Sequence, residues 1–121
     1  MGLAVNPSMT YGCHVRLTFC ETSIFTRQIT GLLSDDELNA LQWVLMGNPE
    51  RGDLIRGSGG LRKIRWAGSG RGKRGGLRVI YCWHVPGSTI LFLLAYPKSE
   101  QDDLTPAQLK VLKSIIQTEY K

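Results

Sequence analysis

The sequence predicts an α+β domain, with N-terminal helices packed on a small antiparallel sheet of three to four strands and a closing C-terminal helix. Three observations predict this class. Helix start signals occur near Ser34 and near Thr105. Between them lie short segments rich in β-branched and aromatic residues, separated by glycine-containing turns. The 121 residues are 42% hydrophobic, which suffices for one core but not for two.

The N-terminal part divides near residue 16. Residues 1–16 are weakly patterned, and we expect them to be an extension that precedes a single domain at 17–121. A first short strand is predicted at 17–20, and an amphipathic turn or short helix at 23–31. The first fifteen residues lack the basic start and apolar run of a signal peptide. No run reaches the roughly 18 apolar residues of a membrane span, so we expect a cytoplasmic protein with no membrane partner.

Two longer helices have clear boundaries. Ser34 followed by Asp35-Asp36-Glu37 is a capping box with acids in the first turn, where the helix dipole favours them. Gly47-Asn48-Pro49 ends that helix. Thr105, followed by proline at the first helical position and by Gln108, predicts the start of the last helix.

The strands occupy the middle of the chain. A short strand is possible at 53–56, and 57–60 is a tight turn. Residues 61–66 and 76–85 are predicted to form strands joined by a flexible cationic loop. The segment 89–96 is apolar throughout, as expected of a central strand covered on both faces.

Positive charge is concentrated between Arg51 and Arg78. This stretch contains nine of the fifteen basic residues and nine of the fourteen glycines, but only one acidic residue. The other acids lie elsewhere, mainly at 35–37 and 100–103. Because a cationic surface on a folded domain favours polyanions, we expect the function to lie here, with a phosphodiester backbone as the usual partner.

The glycine-rich loop at 67–75 has two readings. It could be a solvated hairpin connection, cationic for solubility. Alternatively, its glycines let the backbone approach a phosphate chain that Arg71, Lys73 and Arg74 neutralise, and we favour this reading. The glycine spacing in Gly70-Arg-Gly72-Lys-Arg-Gly75 matches a dinucleotide-binding fingerprint. That motif requires a helix to follow, whereas a strand is predicted to follow here.

Three cations in the strands that flank this loop are stronger candidates for a catalytic role. Period-2 geometry places Lys63 and Arg65 on one face of a strand, opposite to Ile64 and Trp66. If the loop joins antiparallel strands, Arg78 returns beside them. Such a cluster can hold an anion, and a lysine in it can carry a proton. The alternative is a cationic sheet face that only binds an anionic partner.

Other chemistries have little support in the sequence. His14 and His84 do not combine with the three cysteines into a zinc-ligand spacing, and no paired carboxylates accompany the basic stretch. We therefore predict no metal site and no cofactor. The cysteines form no C-x-x-C pair and are expected to be reduced thiols.

Several blocks of the sequence resemble RelE/HigB-type toxins of bacterial type II toxin–antitoxin modules. These blocks are Glu21-Thr-Ser-Ile-Phe25, Asn48-Pro49, Gly57-Ser-Gly-Gly-Leu-Arg-Lys-Ile-Arg65, Gly72-Lys-Arg-Gly-Gly-Leu-Arg-Val-Ile-Tyr81 and Leu94-Ala-Tyr-Pro-Lys98. The resemblance runs from about residue 17 to the C-terminus. It implies an α+β toxin that enters the ribosomal A site and cleaves mRNA. In that chemistry the ribose 2′-OH attacks the neighbouring phosphate, without a metal, and leaves a 2′,3′-cyclic phosphate and a 5′-OH.

The resemblance also implies roles for individual residues. Lys63 and Arg65 match cations that handle the 2′-OH proton and the phosphate, and Arg78 matches an arginine that stabilises charge on the phosphoryl oxygens. Lys98 matches a basic position just after the central strand. The full expected set comprises catalytic Lys63, Arg65, Arg78 and Lys98, and RNA-binding Arg62, Arg71, Lys73, Arg74 and Tyr81.

The chain departs from the family pattern at two places. An arginine and a tyrosine that follow the matching lysine in some members correspond here to Ser99 and Thr105. A leaving-group or stacking role is therefore unassigned, with Tyr81 and Tyr96 as the candidates at hand.

The resemblance implies partners as well: a cognate antitoxin of HigA-like or RelB-like type, the ribosome with its mRNA, and operator DNA only through the antitoxin. Two alternatives are a non-catalytic RNA- or ribosome-binding module and a ParE-type gyrase inhibitor. The three strand cations favour the ribonuclease branch, because a gyrase binder has no need of them.

Overall fold

The computed structural model describes residues 3–5, 9–11, 15–67, 76–84, 88–101 and 103–119, with backbone alone for those before Leu17. Its elements in chain order are β1 Leu3–Val5, β2 Met9–Tyr11, β3 Val15–Thr22, α1 Ser23–Thr30, α2 Asp35–Gly47, β4 Asp53–Leu54, β5 Leu61–Trp66, β6 Leu77–His84, β7 Thr89–Pro97 and α3 Pro106–Glu119. The predicted α+β class is confirmed. Within these residues, no helix has the length and apolar character that crossing a membrane requires.

The sheet is larger than predicted and is mixed. Strands β3 to β7 lie in the order β3-β7-β6-β5-β4, and β1 and β2 pair with β3 on its other side. The expected three to four strands are therefore too few. The expected antiparallel pairing holds for β4 to β7, but β3 runs parallel to β7. Parallel neighbours need a long connection, and here the chain from α1 to β6 provides it.

The N-terminal segment contributes to the sheet. β1 and β2 both pair antiparallel with β3, from Leu3 opposite Thr22 to Tyr11 opposite Val15. Weak patterning at 1–16 gave no prediction of these strands, because three-residue strands carry little periodicity. The division into an extension and a domain at 17–121 stays a prediction, and the backbone pairing adds that β1 and β2 cover the edge of β3.

Two hydrophobic cores lie on opposite faces of the sheet, whereas the composition predicted only one. Phe25 and Ile29 of α1 pack with Leu41 and Leu45 of α2 on one face. On the other face, α3 covers the second core through Leu112 and partly buried neighbours. Seven consecutive residues of β7 are buried, which confirms the prediction of a central strand covered on both faces.

The predicted helix caps are also present. The Ser34 hydroxyl accepts from the Glu37 N–H at 3.2 Å, and the Glu37 carboxylate accepts from the Ser34 N–H at 2.9 Å. Thr105 and Gln108 exchange the same pair of bonds at the start of α3. Because these bonds satisfy amides that have no partner in the helix, they fix where each helix begins.

A glycine turn sets the start of β5. Gly57, Gly59 and Gly60 have φ of 72°, 77° and 118°, which side chains rarely adopt. Within it, the buried Ser58 hydroxyl accepts from the Leu61 N–H at 3.0 Å. The tight turn predicted at 57–60 is thus confirmed, and it anchors the strand that carries Lys63 and Arg65.

Candidate RNA-binding site

Three cations share one face of β5 and β6. Arg65 pairs directly with Arg78, and Lys63 pairs with Ile80. Residues opposite each other on antiparallel strands point to the same side, and so do residues two apart on one strand. We call Lys63, Arg65 and Arg78 the cationic face. The convergence that period-2 geometry predicts is confirmed.

The three side chains differ in depth. Arg78 is only 5% exposed, the Lys63 side chain is 15% exposed, and Arg65 is exposed. Arg78 lies in the middle of a row across three strands, between Arg65 on β5 and the buried Tyr96 on β7. Within the cationic face, the Arg78 guanidinium is therefore sheltered from solvent and the Arg65 guanidinium is exposed.

Local backbone groups contact the buried guanidinium. Arg78 Nη1 donates to the Leu77 carbonyl oxygen at 3.4 Å, and it lies 3.6 Å from the point that a Cβ on Gly76 would occupy. A charge held away from water is costly unless polar groups or an opposite charge compensate it. A bound phosphate would supply such a charge.

An aspartate outside the predicted set lies at this face. Asp103, in the loop between β7 and α3, accepts a hydrogen bond from Lys63 Nζ at 2.6 Å. The Lys63 ammonium, through this bond and its charge, holds the pKa of Asp103 below its usual range, and Arg65 and Arg78 add to the effect. All three cations therefore act electrostatically on one carboxylate.

The sequence contained a weak signal for Asp103. The acids at 100–103 stood out as segregated from the cations, and they follow directly after the predicted central strand. The proximity of Asp103 to Lys63, forty residues earlier, depends on the order of the strands, which local patterns do not specify.

Arg62 lies on the opposite side of β5 from Lys63. Its Nη1 donates to the carbonyl oxygens of Glu50 and Gly52 at 3.1 and 2.8 Å, and its Nη2 lies 3.5 Å from the Glu50 carboxylate. These contacts bind Arg62 to the loop between α2 and β4. We therefore assign it to this loop and remove it from the expected RNA-binding set.

Tyr81 is fully buried. Its hydroxyl donates to the Pro49 carbonyl oxygen at 2.7 Å and accepts from the Gly52 N–H at 2.9 Å. Burial raises the pKa of Tyr81 above its ordinary value, although the Gly52 hydrogen bond and the Arg62 charge oppose this. A ring with no exposed surface cannot stack on a base, so we remove Tyr81 from the RNA-binding set too. The expected RNA-binding role of Tyr81 required its ring to lie at the surface, and the fold buries it.

Lys98 lies at the neighbouring end of the sheet. Its side chain is exposed, and its N–H donates to the Gly76 carbonyl oxygen at 2.9 Å, two residues before Arg78 in the chain. The expected loop cations Arg71, Lys73 and Arg74 lie outside the described residues. Their RNA-binding role stays a prediction.

The arrangement suits an anion with several oxygens. Guanidinium groups donate hydrogen bonds in a planar fork that matches phosphate, and a lysine donates as a compact charge. Among the described residues, no group of three or more histidine, cysteine, aspartate or glutamate side chains is placed to hold a metal ion. The chemistry available at the cationic face is thus phosphate binding, charge stabilisation and proton transfer through Lys63.

Comparison with protein families matches this chain to one of them. The model of the RelE toxin of the RelE/RelB toxin–antitoxin system matches residues 21–120. The match covers most of the chain, including all strands of the cationic face and the loop that carries Asp103.

Proposed function

Because the chain belongs to the RelE toxin family, we propose that this member is a metal-independent, ribosome-dependent mRNA endoribonuclease that inhibits translation. Membership makes it the toxin of a toxin–antitoxin module with an antitoxin partner. The finer assignment is supported above all by the direct pairing of Arg65 with Arg78 beside Lys63. Two opposed guanidinium groups repel each other, and a phosphodiester between them relieves that repulsion.

The proposed reaction is attack by a ribose 2′-OH on the adjacent phosphorus. The O2′–P bond forms as the P–O5′ bond breaks, leaving a 2′,3′-cyclic phosphate and a 5′-OH. Lys63, after giving a proton to solvent, takes the 2′-OH proton directly or through a water, the leaving O5′ receives a proton from water, and Arg65 positions the phosphate. Arg78 stabilises the charge that builds on the phosphoryl oxygens, and Lys98 contacts the substrate from the end of β7.

Partners and location follow from this proposal. A cognate antitoxin of HigA-like or RelB-like type would hold the toxin inactive in the cytoplasm, and operator DNA would be contacted through the antitoxin. The ribosome would supply the mRNA in a conformation that exposes one phosphodiester to the cationic face. Arg71, Lys73 and Arg74 would contact the surrounding backbone.

Purified ribosomes programmed with a defined mRNA test the reaction. Wild-type protein should cut the message in the A-site codon and leave a 5′-OH, and a 2′-deoxyribose at the cleavage position should prevent the cut. Arg78→Ala should lower the single-turnover rate by about 100-fold or more. Protein that binds ribosomes without cutting would instead be a non-catalytic binding module. Inhibition of gyrase with intact mRNA would identify a ParE-type toxin.

A further inference from the structure

The Lys63–Asp103 ion pair occupies an N–H of the lysine that the proposed reaction places against the substrate. Asp103 Oδ1 lies 2.6 Å from Lys63 Nζ, the distance of a charge-assisted hydrogen bond. A carboxylate and a phosphodiester both present anionic oxygens, so both compete for the same donors. Lys63 cannot hold this short bond and present the same N–H to a phosphate.

The two partners differ in how firmly they are held. The Lys63 side chain is 15% exposed and extends from a strand paired on both sides, whereas the Asp103 side chain is 79% exposed and extends from a loop. Rotation about the side-chain bonds of Asp103 breaks its bond to Lys63 without moving the sheet. Asp103 is therefore the partner that can leave.

The loop keeps Asp103 near the site while leaving its carboxylate free to rotate. Gln101 Nε2 donates to the backbone carbonyl oxygen of Asp103 at 3.0 Å and to Gln108 Oε1 at 2.9 Å. These bonds attach the Asp103 backbone to the first turn of α3. The carboxylate itself is held through Lys63, and exposed ion pairs of this kind contribute little to stability.

We propose that Asp103 is an internal competitor of RNA: it occupies the phosphate position on the cationic face when the site is empty and is displaced from Lys63 when the substrate phosphate binds. This inference rests on the proposed function, since it takes the cationic face to be the RNA-binding site. The occupant that it implies is a single phosphodiester of a single-stranded RNA. Asp103 thus lowers the affinity of the isolated toxin for RNA.

Equilibrium binding of a fluorescent oligouridylate, measured by anisotropy at about 50 mM salt, tests the competition. Asp103→Asn should bind the RNA about twofold to fivefold more tightly than wild type, the range expected for loss of an exposed ion pair. Glu100→Gln is the matched control, because it removes the same charge from the same loop, and the described residues give Glu100 no ion pair. In a Lys63→Ala background, Asp103→Asn should change the affinity no more than Glu100→Gln does.

The remaining outcomes contradict the proposal, and each of them identifies a different alternative. Equal tightening by Asp103→Asn and Glu100→Gln would mean that Asp103 acts only through net charge. Weaker RNA binding by Asp103→Asn, or slower ribosomal cleavage at unchanged affinity, would mean that Asp103 positions Lys63 for the reaction. In both cases a loss of affinity in Lys63→Ala and Arg78→Ala would leave the proposed function standing. If neither of these variants weakens RNA binding, the RNA site itself is misplaced, and both proposals fail.

Discussion

Arg65 of β5 and Arg78 of β6 lie directly opposite each other on neighbouring antiparallel strands, on the face that also carries Lys63. Direct opposition of like charges destabilises a sheet by up to about 1 kcal/mol. The structure retains it at the point where Arg78 is almost fully buried. A protein that gives up stability in this way at one place is expected to use the place for binding or catalysis.

Removal of one of these charges should stabilise the protein and weaken its binding to RNA. Arg65→Gln should raise the free energy of unfolding by a few tenths to about 1 kcal/mol, because it ends the repulsion of Arg78. Urea denaturation measures this gain. Arg56→Gln removes another exposed arginine, from a loop, and should change stability less. If Arg65→Gln is destabilised relative to Arg56→Gln, the two guanidinium groups do not oppose each other as described.

Adjacent substitutions on β5 should have separate effects. Lys63→Ala should weaken RNA binding and lower the dependence of log affinity on log salt by about 0.7, the contribution of one phosphate contact to a single strand. Arg62→Ala should reduce stability by about 1 kcal/mol or more, because it removes hydrogen bonds from a charged donor to Glu50 and Gly52. Salt titrations and urea denaturation of both variants measure the two effects. Equal losses of RNA affinity in both variants would contradict the assignment of these residues to opposite faces.

The Tyr81 hydroxyl should matter for stability and not for cleavage. Tyr81→Phe leaves the Gly52 N–H and the Pro49 carbonyl oxygen without their partner, at a cost of about 1–3 kcal/mol. Thermal denaturation should show the loss, whereas the cleavage rate of the folded variant should match that of wild type. A large fall in the cleavage rate of Tyr81→Phe without a loss of stability would mean that Tyr81 belongs to the RNA-binding site.

The stability of wild type and of Tyr81→Phe should also differ at high pH. Its pKa is raised in the folded state by burial, so the folded protein retains the phenol proton more strongly than the unfolded chain. The stabilising effect is fully present below the unfolded pKa of about 10 and is lost as the pH rises through the higher folded pKa. Denaturation between about pH 9 and 11 should therefore show a steeper fall of stability in wild type than in Tyr81→Phe. Parallel curves would mean that the hydroxyl titrates normally.

Much of the cationic face could be predicted because its determinants are local. Alternation along β5 separates Lys63 and Arg65 from Ile64 and Trp66, and a glycine-rich connection to the next strand predicts a hairpin. The same alternation places Arg62 with Ile64, so the sequence held the signal that separates it from Lys63. Composition and motif resemblance do not use this alternation, so they placed the neighbouring cations Arg62 and Lys63 in one set.

The remaining features depend on contacts between distant segments. The parallel pairing of β3 with β7 cannot be deduced from either strand alone. Tyr81 is buried because the loop after α2 offers its hydroxyl a donor and an acceptor. Asp103 reaches Lys63 because the end of β7 lies two strands away from β5. These relationships are set by strand order, which the local patterns leave open.

The central claim is that the cationic face cleaves mRNA on the ribosome, and mapping the 5′ ends of cellular mRNA tests it most directly. The protein would be induced in bacteria beside Arg78→Ala and the control Arg62→Ala, which removes an arginine from the opposite side of the sheet. We expect new 5′-OH ends inside translated regions, in register with codons, for wild type and Arg62→Ala but not for Arg78→Ala. Growth arrest without such ends, or the same ends in Arg78→Ala, would contradict the claim.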